Sequence, residues 1–202
     1  MATIHQQAIK VAVLTTIVVG VVLLPGCSVN VKKDNEGQDK KVDIETPVAG
    51  LHVSNEPDVQ DTGLPVYPGA TRKEKKSGDS DETGANVNIV TSLFGLKVVA
   101  VEFLSKDSPD KVMAFYKDKL TKYGNVLECH KHKGGGSVTM NGGDDEKDSK
   151  SRQLKCEGDN SGNVIELKVG TQEKQHIVSI EPKDNGTDFA LVFVQTRGKD
   201  TI

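Results

Sequence analysis

Ser108-Pro109-Asp110 opens the one segment downstream of residue 26 whose apolar residues recur at helical spacing. The serine offers an oxygen to the first free amides, the proline has no amide to lose at the first helical position, and the aspartate suits the positive end of the helix dipole. Val112, Phe115, Tyr116, Leu120 and Tyr123 follow at three-to-four spacing, and Gly124 supplies a stop. This predicts one amphipathic helix over about 109–123. Its aromatic stripe reads as core, because that spacing is what packing onto a sheet requires.

The rest of the chain reads as strands. Ala85 to Leu93 alternates Val87, Ile89 and Thr91 on one face, Phe94-Gly95 is the expected turn, and Leu96 to Leu104 returns as a strand apolar on both faces, central in its sheet. Asn125 to His130, Arg152 to Cys156, Asn163 to Val169, His176 to Glu181 and Phe189 to Thr196 follow as short strands, separated by turn signals that favour antiparallel hairpins. The resulting fold class is α+β, one helix on an antiparallel sheet. Val87, Ile89, Val99, Val101 and Phe103 are expected to form the sheet surface that the helix covers. Lys133 to Ser151, with Gly134-Gly135-Gly136 and Asp144-Asp145-Glu146, reads as a mobile insertion.

Upstream, Gly63-Leu64-Pro65-Val66-Tyr67-Pro68-Gly69-Ala70 describes an extended segment laid against a core. Val29-Asn30-Val31-Lys32, Lys41-Val42-Asp43-Ile44-Glu45 and Leu51-His52-Val53 each alternate apolar with polar, as half-buried strands do. Ser54 to Leu64 reads as a linker; a fully disordered tether over the whole region is the rival.

Residues 1–26 carry one lysine, Lys10, then fourteen uncharged residues from Val11 to Leu24, and end in Leu24-Pro25-Gly26 before Cys27. The run is short for a membrane span, which needs about 20 apolar residues, and fits a signal-peptide core. The pattern resembles the bacterial lipoprotein signal. That resemblance implies lipidation of Cys27, cleavage before it, acylation of the new amine, and a place in the bacterial cell envelope. By the sorting rule of Gram-negative lipoproteins, Ser28 favours the outer over the inner membrane. An uncleaved anchor is the alternative. The chain is therefore expected to divide into a signal peptide over 1–26, a tether with short strands over 27–62, and a single α+β domain over 63–198.

Beyond residue 26 there are 25 Lys and Arg against 29 Asp and Glu, a formal charge of −4, with both signs interspersed. Nucleic-acid partners would need a basic face and are not expected. With no tryptophan and 4% aromatic residues, one modest core is expected rather than two. Lipidation of Cys27 leaves Cys129 and Cys156, and an exported chain predicts a disulfide between them, against two reduced, buried thiols.

The combination of Val66-Tyr67-Pro68-Gly69-Ala70, the near-apolar strand, and Ser108-Pro109-Asp110-Lys111-Val112 leading to Phe115-Tyr116 and Leu120 resembles a family of uncharacterised exported proteins and lipoproteins of environmental bacteria. The resemblance runs over about 63–129 and implies an envelope protein with one helix on an antiparallel sheet. It brings no reaction and no catalytic residue.

Chemistry-bearing motifs are sparse. There is no Gly-x-Ser-x-Gly elbow and no His-Glu-x-x-His, and Gly134-Gly135-Gly136 runs into Ser137-Val138 rather than into a phosphate loop. Asp144, Asp145, Glu146 and Asp148 lack the spacing of a calcium loop. His130 and His132 share a strand face while Cys129 points the other way, so one metal could not readily use all three, and Cys129 with His130 is no thiol-protease pair. The expectation is a non-catalytic, membrane-anchored envelope protein without cofactor or metal, presenting its domain to a protein partner or wall polymer. The alternative is an envelope enzyme or metal-binding protein built on His130, His132 and His176.

Overall fold

A computed structural model describes residues 27–33, 39–73, 84–132 and 153–198. The predicted insertion at 133–151 and signal peptide at 1–26 lie outside them. The described residues form one antiparallel sheet and one α-helix, a heavier β bias than the α+β class implies. The strands are β1 (Ser28–Lys33), β2 (Asp39–Thr46), β3 (Ala49–Ser54), β4 (Thr71–Arg72), β5 (Gly84–Thr91), β6 (Phe94–Ser105), β7 (Leu127–Lys131), β8 (Val164–Gly170), β9 (Lys174–Lys183) and β10 (Gly186–Gly198). Their order is β1-β2-β3-β5-β6-β10-β9-β8-β7, with β4 pairing the end of β6.

The helix α1 (Pro109–Leu120) starts at the predicted place and runs into a 3-10 turn ending at Tyr123, with Gly124 behind it. The Ser108 hydroxyl makes no capping bond, however; its carbonyl accepts the amides of Lys111 and Val112. Val112, Tyr116 and Leu120 bury completely against Val99, Val101, Phe103, Leu167, Val178, Ile180, Phe189 and Leu191, the inward side chains of β6, β8, β9 and β10. Leu64 and Tyr67 complete this core from the extended segment before β4, and the Tyr67 hydroxyl donates to Asp107 at 2.9 Å.

Three local expectations are corrected. The β5–β6 turn is Ser92-Leu93 rather than Phe94-Gly95, because the Thr91 hydroxyl closes onto Phe94 and Gly95 continues the strand opposite Val90 and Arg197. Gln153 to Cys156 joins no ladder; a disulfide ties that stretch to β7 instead. Residues 55–64, read as a linker, are folded down: a 3-10 turn (Val59–Thr62), capped by the Asp58 side chain, buries Thr62 completely and sets Val59 against the core.

Candidate functional site

β1, β2 and β3 continue the main sheet, so the alternation of their residues decides what each face presents. In an antiparallel pair, directly opposite residues point to the same side. Val98 on β6 faces away from α1, and the register carries that face outward through Val87, Val53, Val42 and Val31. A parallel row runs from Leu96 through Ile89, Leu51 and Ile44 to Val29. On the other side Val98 continues to Val194, and Ala100 to Val192 and Ile177.

The result is an apolar face on the side that α1 does not cover, continuous from β1 to β6; farther along the same side stand Glu102 on β6, which pairs with Lys73, and Asp188 on β10, which pairs with Lys183. Val29 is 62% and Val31 42% exposed, and Val42, Ile44, Leu51, Val53, Val87, Ile89 and Val98 are half-buried; Leu96 on β6 and Val194 on β10, on the same side, are buried, so the accessible part of the face lies on β1, β2, β3 and β5 and ends at β6. Among the described residues, β1, β2 and β3 pack on nothing substantial except adjoining strands. Val87 and Ile89 thus belong to this open face, unlike Val99, Val101 and Phe103, which lie under the helix as expected. The two sets sit on opposite parities: Asn86 opposes Val99, whereas Val87 opposes Val98.

The helix side of the same three strands is polar. Asp43 on β2 meets the His52 ring at 2.7 Å and Lys41 at 3.3 Å. The hydrogen bond from His52, and then the lysine, hold the Asp43 carboxyl below the usual carboxylate range. Lys97 reaches Asp61 at 3.4 Å.

The three histidines of the alternative reading lie apart. His130 on β7 sits 3.3 Å from Glu128, whose carboxylate also pairs with Lys117 and is held below its ordinary range mainly by that lysine. His132, just past β7, is exposed and faces Ser161 at 3.2 Å and Asp159 at 3.6 Å. His176 on β9 is paired with Val169, four residues along β8 from the Ile165 that opposes His130. Two strand spacings and four residues put His176 about 16 Å from His130. Among the described residues, no group of three or more His, Cys, Asp or Glu is placed to hold a metal ion.

His176 is held in the interior rather than presented to a site with the other two. It is 5% exposed, its Nδ1 is 2.8 Å from the Thr62 carbonyl to which it donates, and its ring stacks on Tyr123 at 3.8 Å. The Tyr123 hydroxyl in turn donates to the Gly63 carbonyl at 2.6 Å. Gly63 has φ +70°, and a Cβ there would lie 2.8 Å from the Tyr123 hydroxyl, so this junction needs glycine on both counts. Burial pushes the imidazole below its ordinary value against the opposing bond to Thr62, and the charges of Lys174 and Lys122 push the same way.

A pH dependence follows. In the unfolded chain the imidazole returns to about 6.5, so above that pH both states are neutral and His176 adds no slope. As pH falls below it, the unfolded state takes up the proton first and stability is lost down to the depressed folded value. The thermal midpoint is expected to drop between pH 7.5 and 5.5, measured by circular dichroism, and to drop less in His176→Gln. Equal slopes in the two proteins would exclude His176 as the source.

At the far end of the sheet, Cys129 and Cys156 form a disulfide, with Cα atoms 5.4 Å apart. Beside it Lys131 and Lys168 each place Nζ 3.0 Å from the same Glu166 oxygen, and Glu157 lies 3.6 Å from Lys131. Lys131 is 9% and Lys168 5% exposed. Glu157, just past the disulfide, brings a second carboxylate to Lys131. The charges are mutually paired, the condition under which such burial is tolerated.

Taken by fold and surface, the described residues form a one-layer antiparallel sheet with a helix over one face and exposed apolar residues on the other face of β1, β2, β3 and β5. No family model matches the chain, and neither a curated protein nor a solved structure was found to match it.

Proposed function

We propose that this is a lipid-anchored protein of the bacterial cell envelope whose domain is a non-catalytic binding module, and that the open face of the sheet is its binding surface. The observation that carries the reading is the apolar face that Val31, Val42, Val53, Val87 and Val98 form with Val29, Ile44, Leu51 and Ile89 across β1, β2, β3, β5 and β6. Five strands from β1 to β6 span about 20 Å, and contiguous apolar patches mark interaction surfaces. An apolar surface with few hydrogen-bonding groups matches a protein better than a wall glycan, whose hydroxyls would lose water without gaining partners. The lipobox ending at Cys27 and the resemblance to exported lipoproteins support the address. The enzyme or metal reading needs His130, His132 and His176 to converge, and their separation counts against it.

A photoreactive side chain placed at Val53 or Val87 in intact envelopes is expected to give a discrete crosslinked species, and the same group at Asn88, on the opposite face of β5, is not. Cys27→Ser is expected to leave an unprocessed precursor that no longer partitions into detergent. Crosslinking from Asn88 alone would move the binding surface to the other face, and normal processing of the Cys27 variant would remove the anchor.

A further inference from the structure

The turn joining β2 to β3 and the turn joining β5 to β6 are built alike. They read Thr46-Pro47-Val48-Ala49 and Thr91-Ser92-Leu93-Phe94, with no charge in either. In each, the threonine hydroxyl accepts the amide three residues on, at 2.9 and 2.8 Å, and donates to that residue's carbonyl at 3.0 Å. The backbone is thereby fixed by local polar bonds, and no packing is required of the third residue. That third residue is apolar and held out in solvent: Val48 is 71% and Leu93 85% exposed.

The register brings these tips together. Ala49 pairs with Thr91, so the two turns are neighbours at one end of the sheet, with about 10 Å between their centres. The first strand starts at the same end. Ser28 pairs with Glu45, which leaves the exposed Cys27 level with the Thr46–Ala49 pair that closes the first turn. In sequence, the apolar run Val11 to Leu24 leads into that point. The opposite end differs in chemistry: the β9–β10 turn there is Asp184-Asn185, and β6 runs out into Ser105, Lys106 and Asp107.

We propose that the end of the sheet carrying Cys27, Val48 and Leu93 is a membrane-docking end, its occupant the lipid bilayer. This rests on the lipid-anchored reading of Cys27. With the acyl chains of Cys27 in the bilayer, Val48 and Leu93 enter the boundary between headgroups and acyl chains, where exposed apolar side chains gain what water denies them. A single acylated residue leaves a domain free to swing; attachment at three points over about 17 Å of sheet end does not. The strands then stand away from the membrane, and the open face is presented sideways to the periplasm or cell exterior.

The test uses the full chain, expressed in a bacterial host and reconstituted into phosphatidylethanolamine–phosphatidylglycerol vesicles. The protein has no tryptophan, so one indole introduced by Val48→Trp, Leu93→Trp or, as a control at the far end of β6, Leu104→Trp reports alone. Intact mass reads acylation separately. The expected result is an acylated chain in which the indoles at 48 and 93 emit to the blue and are quenched several-fold more by lipids brominated in the acyl chain than the indole at 104. An acylated chain with all three positions equally unquenched overturns the docking end and leaves the anchor standing. A blue shift at 48 and 93 without bromine quenching means that another copy covers the tips, which also overturns it. A mature chain carrying no acyl mass removes the anchor and the docking end together.

Discussion

Tyr116→Ala is expected to destabilise the domain by about 3–5 kcal/mol, the range for removing a large aromatic side chain from a packed interior. Tyr116 is fully buried and joins three parts of the fold. Its ring lies 5.0 Å from Phe115 on its own helix, 6.5 Å from Tyr67 in the extended segment and 5.6 Å from Phe189 on β10. Its hydroxyl donates to the Pro65 carbonyl at 3.1 Å, across 51 residues of sequence. Burial pushes the phenol well above its ordinary value, so the group stays a neutral donor at any pH the fold survives. Tyr116→Phe keeps the ring contacts and loses only that bond, for an expected cost of about 1 kcal/mol. Equilibrium denaturation in urea measures both. At this chain length the alanine variant should melt roughly 10 °C lower. A loss below about 1 kcal/mol in the alanine variant would mean that the helix is not seated on the sheet as described.

The elements with a strong period were legible in the sequence. Val112, Phe115, Tyr116 and Leu120 announce a helix because a sheet-packed helix buries every third or fourth residue, and that is local information. The alternating runs around Val31, Val42, Val53 and Val87 likewise read as strands. What they could not say is which side is covered, since period two marks one buried face without naming its cover. Val87 and Ile89 therefore looked like residues under the helix and are in fact on the open face. The buried positions of Lys131, Lys168 and His176 depend on partners far along the chain: Glu166 for the lysines, and Thr62, 114 residues away, for the histidine. No local pattern encodes such a meeting. The candidate binding face was thus visible as separate strands and invisible as one surface, because only the register joins them.

The disulfide was legible from cysteine arithmetic joined to the expectation of an exported chain, and its removal should have the second large effect. Cys129 and Cys156 are separated by 27 residues, and cross-linking a loop of that length restricts the unfolded chain by about 3.5 kcal/mol in the chain-entropy model. Two further features tie the bond to its surroundings. Cys129 is fully buried on the side of β7 away from α1, and the chain after Cys156 brings Glu157 to Lys131. Nothing else in a ladder holds Gln153 to Cys156 to the sheet, so without the bond that stretch detaches and Lys131, Lys168 and Glu166 gain water. The paired variant Cys129→Ala with Cys156→Ala is accordingly expected to lose about 2–4 kcal/mol. The loss should concentrate at β7 and β8, read as faster amide exchange there than in β6 and β10, which lie at the centre of the sheet. A thiol titration of the unfolded, unreduced mature protein decides the premise: two reactive thiols would refute the bond. If the thiols are absent and the paired variant still unfolds at the same urea concentration as the parent, the bond is present and idle, and the charge cluster beside it would have to hold that end of the sheet alone.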